Sequence, residues 1–385
     1  MALKWAWGWE IDTDDSDYDN WTVTPGFFGL VTNYGASAQP GGGVGGGAFC
    51  MLMGRGGDIL TPTVVDSATF WVGCWVRLVA GDEWRDSAGN LLEVQRSGPQ
   101  TMVSIIPSAF GASASLELYV NTTGTTMELV GSTSTALAAG TWYWIALKVD
   151  ATGAVDATLY IDGVEELQGT ATSGGGYTGE TLWFNGACDA GHYILVDSVI
   201  VYDSLTDPGE VDHFIQGLRP NADNTDGSFS PSSGSDIYAV IDDGSSTDYA
   251  ESTTDPDTVL VDVESRADID AGWDPPTVVG VGTVGMCRGD AGNGNAIVRH
   301  GSTSDTGANF ALSVNPSMSH VIAAVNPDTS SAWTSAELDA VIGGYTASGM
   351  TDTQLDGLVV EVVWNEEIPP VTGNTVDFLT RRASF

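Results

Sequence analysis

Lysine is nearly absent from this chain: Lys4 and Lys148 are the only two. Arginine adds little, so 12 basic side chains face 51 acidic ones and the formal net charge is −39. No basic cluster interrupts that surface, and it would repel a phosphate backbone, which excludes nucleic acid as a partner. Long apolar runs are also missing: none approaches the ~18 residues of a membrane-spanning helix. Glu10 and Asp12 arrive too early for the apolar core of a signal peptide, which predicts that the general secretory route is not used. Cysteine is scarce. Cys50, Cys74, Cys188 and Cys287 form no CxxC pair and no zinc spacing. Cys74 alternates with bulky residues and reads as a small buried apolar side chain, and nothing in the spacing supports a Cys50–Cys74 bridge.

What is present argues for a folded protein. The composition is 42% hydrophobic, with 13 tryptophans, 11 tyrosines and 11 phenylalanines. That is incompatible with disorder driven by charge and low hydrophobicity. The acidity is therefore a surface property. In dilute buffer such a surface repels itself, whereas at molar salt the Debye length falls to about 3 Å and the repulsion is screened. The balance predicts a hypersaline environment; an ordinary acidic marine or extracellular protein is the alternative.

The 49 glycines, the scarcity of amphipathic helical patterns and repeated two-residue alternation predict an all-β chain. Phe70, Val72, Cys74, Val76 and Leu78 alternate with Trp71, Gly73, Trp75 and Arg77, both sets bulky, as in a central strand. Trp142–Val149, Ala157–Asp162 and His192–Asp203 follow as strands, with Asp162-Gly163 as a tight hairpin turn. Together these predict a sandwich of two antiparallel sheets over residues 1–206. Residues 207–257 read as connecting loops with a short strand at Ile237–Ile241. A second β-sandwich is expected over 258–366, and a tail over 367–385. Thr334-Ser-Ala-Glu337 is a capping box that predicts one helix, 335–343, ended by Gly343-Gly344.

At Thr141-Trp142-Tyr143-Trp144, at Asp162-Gly163 and along Ile194-Leu195-Val196-Asp197-Ser198-Val199-Ile200-Val201-Tyr202-Asp203, the N-terminal part resembles the concanavalin A-like (laminin-G-like) jelly-roll domains. Further on, Gly217–Asp223, Ile237–Asp243, Asn326-Pro327-Asp328-Thr329 and Ala332-Trp333-Thr334 follow one another in an order that resembles virion proteins of tailed phages and archaeal tailed viruses. The resemblance runs from about Trp5 to Trp364; the more acidic loops and the missing lysines depart from it. It implies a concanavalin-like jelly roll followed by a second β-sandwich carrying one short helix. It also implies a structural protein of a halophilic tailed virus, exposed as a head turret, fibre or tail component. Such a protein would be assembled in the host cytoplasm, would bind other virion proteins and form a homo-oligomer, and would touch host surface glycans or an S-layer. A free lectin-like carbohydrate-binding module is the alternative.

A glycoside hydrolase is the third reading, and the sequence argues against it. The nearest approach to a carboxylate pair, Glu210-Val211-Asp212, lacks its second glutamate. His192, His213, His300 and His320 stand near no G-x-S-x-G elbow, and the Gly41–Gly47 run lacks the ending of a phosphate-binding loop. No catalytic residue and no organic cofactor is assigned, and Glu361 reads as a lone outward acid. Three sets of binding candidates remain. Asp12, Asp14, Asp15, Asp17 and Asp19 offer carboxylates for calcium, which takes roughly six to eight oxygens. Trp84, in a loop, is the candidate ligand contact. Arg381 and Arg382, a basic pair in an acidic chain, are the candidate docking segment.

Overall fold

The computed structural model describes the strand backbones 3–7, 22–24, 28–32, 49–54 and 58–60, and residues 65–365 except the loops 80, 85–89, 97–99, 110, 123–125, 173–175, 186–192, 205–212, 226, 243–247, 270–273 and 315–316. The chain divides into two compact units, one built mainly from residues 50–212 and the other mainly from residue 213 onward. Each is a pair of antiparallel sheets.

In the first unit, one sheet runs in the order Val164–Thr170, Asp156–Ile161, Tyr143–Asp150, Thr69–Leu78, Tyr193–Tyr202, Phe49–Gly54, Phe28–Thr32, with Leu3–Trp7 also paired to Tyr193–Tyr202. The other runs Met127–Ala138, Ser113–Asn121, Gln100–Pro107, Leu92–Arg96, Gly179–Asn185, Asp58–Leu60, Thr22–Thr24. Alternation decides which residues meet between the sheets. Phe70, Val72, Cys74, Val76 and Leu78 are buried in one, and Leu92, Val94, Val103, Ile105, Leu116, Leu118, Leu182 and Phe184 in the other. Cys74 is a free thiol, which rules out the Cys50–Cys74 pairing, and burial pushes its pKa up to about 12.

The motifs behind the family resemblance are structural. Asp162 and Gly163 both hold positive φ (51° and 77°), as a tight hairpin demands, and the Asp162 carboxylate accepts the Trp144 amide at 2.9 Å. Asp197 is buried, and its carboxyl accepts the Ser198 amide at 2.6 Å where Ser198 takes φ 48° at a register shift between the Tyr193–Tyr202 and Thr69–Leu78 strands.

The second unit stacks two more sheets. One contains Ser230–Pro231, Ala250–Ser252, Thr353–Asn365, Thr277–Gly289 and Ser317–Ala323, with His213–Leu218 added beside Thr353–Asn365. The other contains Pro220–Thr225, Asp257–Val263, Val341–Ser348, Asn293–His300 and Thr303–Thr306, with Phe310–Ala311 added beside Asn293–His300. Residues 213–257 are thus not a connector: four of their segments are strands of this sandwich. Ile237–Ile241 is not a strand but a turn of 3-10 helix, Tyr238–Val240, because the Asp223 carboxylate accepts the amides of Ile237 (3.0 Å) and Tyr238 (2.7 Å).

The helix expected over 335–343 is shorter. The capping box at Thr334 and Glu337 is present, but it opens a 3-10 helix, Ser335–Ala340, and Val341 already begins a strand. Gly343 and Gly344 therefore do not end a helix. They admit close neighbours: a Cβ on Gly343 would sit 2.8 Å from Leu358 of the facing sheet, and one on Gly344 2.5 Å from Leu260 on the paired strand. A four-residue α-helix, Arg266–Ile269, also occurs. Asn326 organises the Asn326–Trp333 motif. Its Oδ1 accepts the Asp328 amide (2.9 Å), its Nδ2 lies 3.2 Å from His300 Nδ1, and the Trp333 indole donates to the Ala323 carbonyl (2.9 Å). Glu361, expected to point outward into solvent, is only 1% exposed. Among the described residues no helix is long and apolar enough to cross a membrane.

Candidate functional site

Trp84 is not a ligand platform. It is 1% exposed, its indole donates to the Leu137 carbonyl at 2.9 Å, and its backbone forms a bridge with Gly111. The loop is anchored by burying the ring, so no face is left for a ligand. Asp12, Asp14, Asp15, Asp17, Asp19, Arg381 and Arg382 lie outside the described residues, as do Glu210 and Asp212. Among the described residues no group of three His, Cys, Asp or Glu is placed to hold a metal ion.

On the first unit's Val164–Phe28 sheet, the face turned from the core carries a layer of aromatic rings, with the indoles buried. Trp71 and Tyr160 lie 5.1 Å apart by ring centroids, and Trp75 and Trp144 5.6 Å apart; Trp71, Trp75 and Trp144 are all buried. Gly73 has to be glycine, because a Cβ there would lie 2.3 Å from the Trp144 ring. Lys148, one of the two lysines, sits 5.6 Å from the Trp71 ring centroid.

The other sheet differs. On its face turned from the core, the pairing register lines up one residue from each of five adjacent strands: Leu129, Tyr119, Ser104, Glu93 and Trp183. Directly paired residues share a face, so these five side chains form a row across the strands. A second row sets Thr101, Gln95 and Thr181 beside it. Local sequence explains the polarity. Glu93 and Gln95 alternate with core residues Leu92 and Val94, and Glu117 and Tyr119 with Leu116, Leu118 and Val120.

Glu93 stands at the centre and is 2% exposed. Its Oε1 accepts Gln95 Nε2 at 3.0 Å and Thr101 Oγ1 at 2.7 Å, and its Oε2 accepts the Asn90 side-chain amide. Three donors thus fix the carboxylate and leave about one of its four lone-pair sites open. Beside it Ser104 is 3% exposed, and its hydroxyl has no hydrogen-bond partner among the described residues. A buried hydroxyl in that condition is costly, on the order of 1–3 kcal/mol. Tyr119 donates to Glu117 Oε2 at 2.7 Å, and that bond, with lesser burial and charge effects, holds its phenol pKa above the ordinary value. Asn121 Nδ2 ties the Thr101 carbonyl at 2.7 Å. Tyr119 and Trp183, both half-buried, stand on either side of the Ser104–Glu93 pair. Chemically the row sets a buried hydroxyl and a buried, fixed carboxylate between two half-buried amphipathic rings. Such groups hydrogen-bond hydroxyls and stack on apolar faces.

The sequence contained this alternation but did not single it out. Each polar residue reads alone as an outward strand position. Only the register brings residues 10 to 90 apart in the chain into one row.

No family model and no curated protein matches the chain. Solved structures give weak structural likenesses. Domain 4 of the GH43 extracellular arabinanase AbnA from Geobacillus stearothermophilus, solved with arabinotriose, is 16% identical, with 52% of this chain and 92% of that one covered at a TM-score of 0.35. The endo-β-1,4-glucuronan lyase of the fungus Trichoderma reesei is 9% identical, with 54% and 99% covered at 0.38. The N-terminal tandem CBM22 domains of Paenibacillus barcinonensis Xyn10C are 11% identical, with 94% and 97% covered at 0.28. At these values a functional reading has to come from this chain's own residues.

Proposed function

We propose that this protein is a glycan-binding β-sandwich protein whose binding face is the Leu129–Trp183 row of the first unit. The observation that carries the reading is the buried Ser104 hydroxyl. It lacks a partner among the described residues, is set beside a carboxylate fixed by three donors, and is flanked by Tyr119 and Trp183. A ligand hydroxyl would complete the network, and ring faces on both sides suit the apolar faces of sugars. We read the role as binding, because Asn90, Gln95 and Thr101 fix Glu93 as a hydrogen-bond acceptor.

Affinity electrophoresis on a panel of polysaccharides, run at molar salt to suit the net charge, tests this. Trp183→Ala and Tyr119→Ala should each lose retardation by about tenfold with the fold intact. Retardation unchanged in both variants removes the face from the mechanism. The motif order in the second half favours a particular setting: a virus particle on which many copies bind weakly and repeatedly to a host-surface glycan. Immunogold labelling of purified particles from a hypersaline host tests that setting, and labelling confined to free protein rejects it.

A further inference from the structure

We infer that the ligand of this face is an uncharged, linear glycan, gripped along its chain and read by its hydroxyls; this rests on the glycan-binding reading above. The extent of the row sets the length. From Leu129 to Trp183 there are four inter-strand steps, roughly 19 Å at about 4.8 Å each. That is the length of an oligosaccharide, and a single terminal sugar would cover only part of it. The chemistry of the row excludes acidic sugars. Its polar members are a phenol, a hydroxyl and a carboxylate, and the neighbouring positions add Glu117, Gln95 and Thr101. The cation at the end of the Leu92–Arg96 strand, Arg96, is turned onto the Tyr177 ring 3.8 Å away and bonded to Gln100. Among the described residues, a uronate carboxylate laid on the row would therefore meet Glu93 without a counter-charge, in a place where water screens poorly. Hydroxyls, in contrast, can donate to the open lone pairs of Glu93 and Ser104.

Salt separates this local effect from the charge of the whole molecule. Repulsion of an acidic polymer by a net charge of −39 disappears at molar salt, where the Debye length is about 3 Å. Repulsion by the buried Glu93 is screened much less. Calorimetry on the full chain, at low and at 2 M NaCl, would compare uncharged linear glucans, xylans and arabinans with alginate and polygalacturonate of matched length. Uncharged chains should bind at both salts, with affinity rising from monosaccharide to tetrasaccharide and then levelling. Polyuronates should stay about tenfold or more weaker even at 2 M NaCl, and Glu93→Gln should narrow that gap. Polyuronates binding as tightly as uncharged chains at 2 M NaCl overturn the inference and leave glycan binding standing. A monosaccharide binding as well as a hexasaccharide overturns the extended grip. Binding to neither class overturns the glycan-binding reading itself. The wild-type comparison decides even if Glu93→Gln fails to fold.

Discussion

Replacing Ser104 with alanine should change stability and binding in opposite directions, a combination that a merely structural serine would not produce. The hydroxyl is buried and lacks a hydrogen-bond partner among the described residues, beside Glu93 and Tyr119 in the pairing register. A buried, unmade hydrogen bond costs about 1–3 kcal/mol, so deleting the group relieves that cost in the free protein. The vacated oxygen volume takes some of this back through lost contacts. The net expectation is a gain of about 1 kcal/mol, or a rise in Tm of roughly 2–4 °C for a unit of this size. In the complex the same hydroxyl would supply one hydrogen bond, worth about 0.5–1.5 kcal/mol net. At about 1.4 kcal/mol per decade the variant should bind its glycan roughly 2- to 12-fold more weakly. Thermal unfolding by circular dichroism and affinity electrophoresis, both at molar salt, read the two quantities on the same preparation. A loss of stability exceeding about 1 kcal/mol would show that the hydroxyl is partnered in the free protein. Unchanged affinity in a well-folded variant would refute its place in the site.

Gly73→Ala should lower stability by about 1–3 kcal/mol, since its Cβ would lie 2.3 Å from a Trp144 ring that also packs on Trp75; an unchanged melt would mean the ring can swing aside. Glu166 accepts hydrogen bonds from Ser134 and Thr135 across the sheet edges. Partial burial pushes its pKa up, but the Thr135 and Ser134 bonds outweigh it and hold it below the ordinary value. Its contribution is therefore present above the ordinary glutamate range and lost as pH falls through the lower folded value. Glu166→Gln should flatten part of the acid loss of stability seen in denaturant titrations between about pH 6 and 3, and an identical slope in the variant would reject the clamp. Asp197 goes the other way: burial, opposed only by the Ser198 bonds, raises its pKa well above the ordinary value. The folded chain then holds a proton that the unfolded chain releases, so stability falls as pH rises above the ordinary aspartate range. Asp197→Asn should fold normally and remove that decline, and a variant that fails to fold shows that the charge is needed. Wild-type Tm should climb between low and molar NaCl, and equal values would sink the hypersaline reading of the −39 charge.

Strand alternation made the first sandwich legible. Phe70 to Leu78 and Tyr143 to Val149 each declare a core face, and Asp162-Gly163 declares its turn because both residues must take positive φ. The capping box was legible because Thr334 and Glu337 satisfy each other locally. The readings that failed are those in which a local signal has two physical uses. Gly343-Gly344 can stop a helix or admit a close neighbour, and the packing of Leu358 and Leu260 selects the second. Trp84 in a loop can meet a ligand or pin the loop, and the Leu137 carbonyl selects pinning. Glu361 alternates like an outward acid, yet it is buried in a sheet whose two faces are both covered.

Composition and alternation by themselves determined that the chain folds and that it is all-β. Those properties depend on residue type and on neighbours close in sequence. The row of Tyr119, Ser104, Glu93 and Trp183 was decided only by tertiary structure. Its members come from separate strands, and a shift of one residue in any pairing would turn that strand's side chain to the core face. The row is a consequence of register, which long-range packing sets.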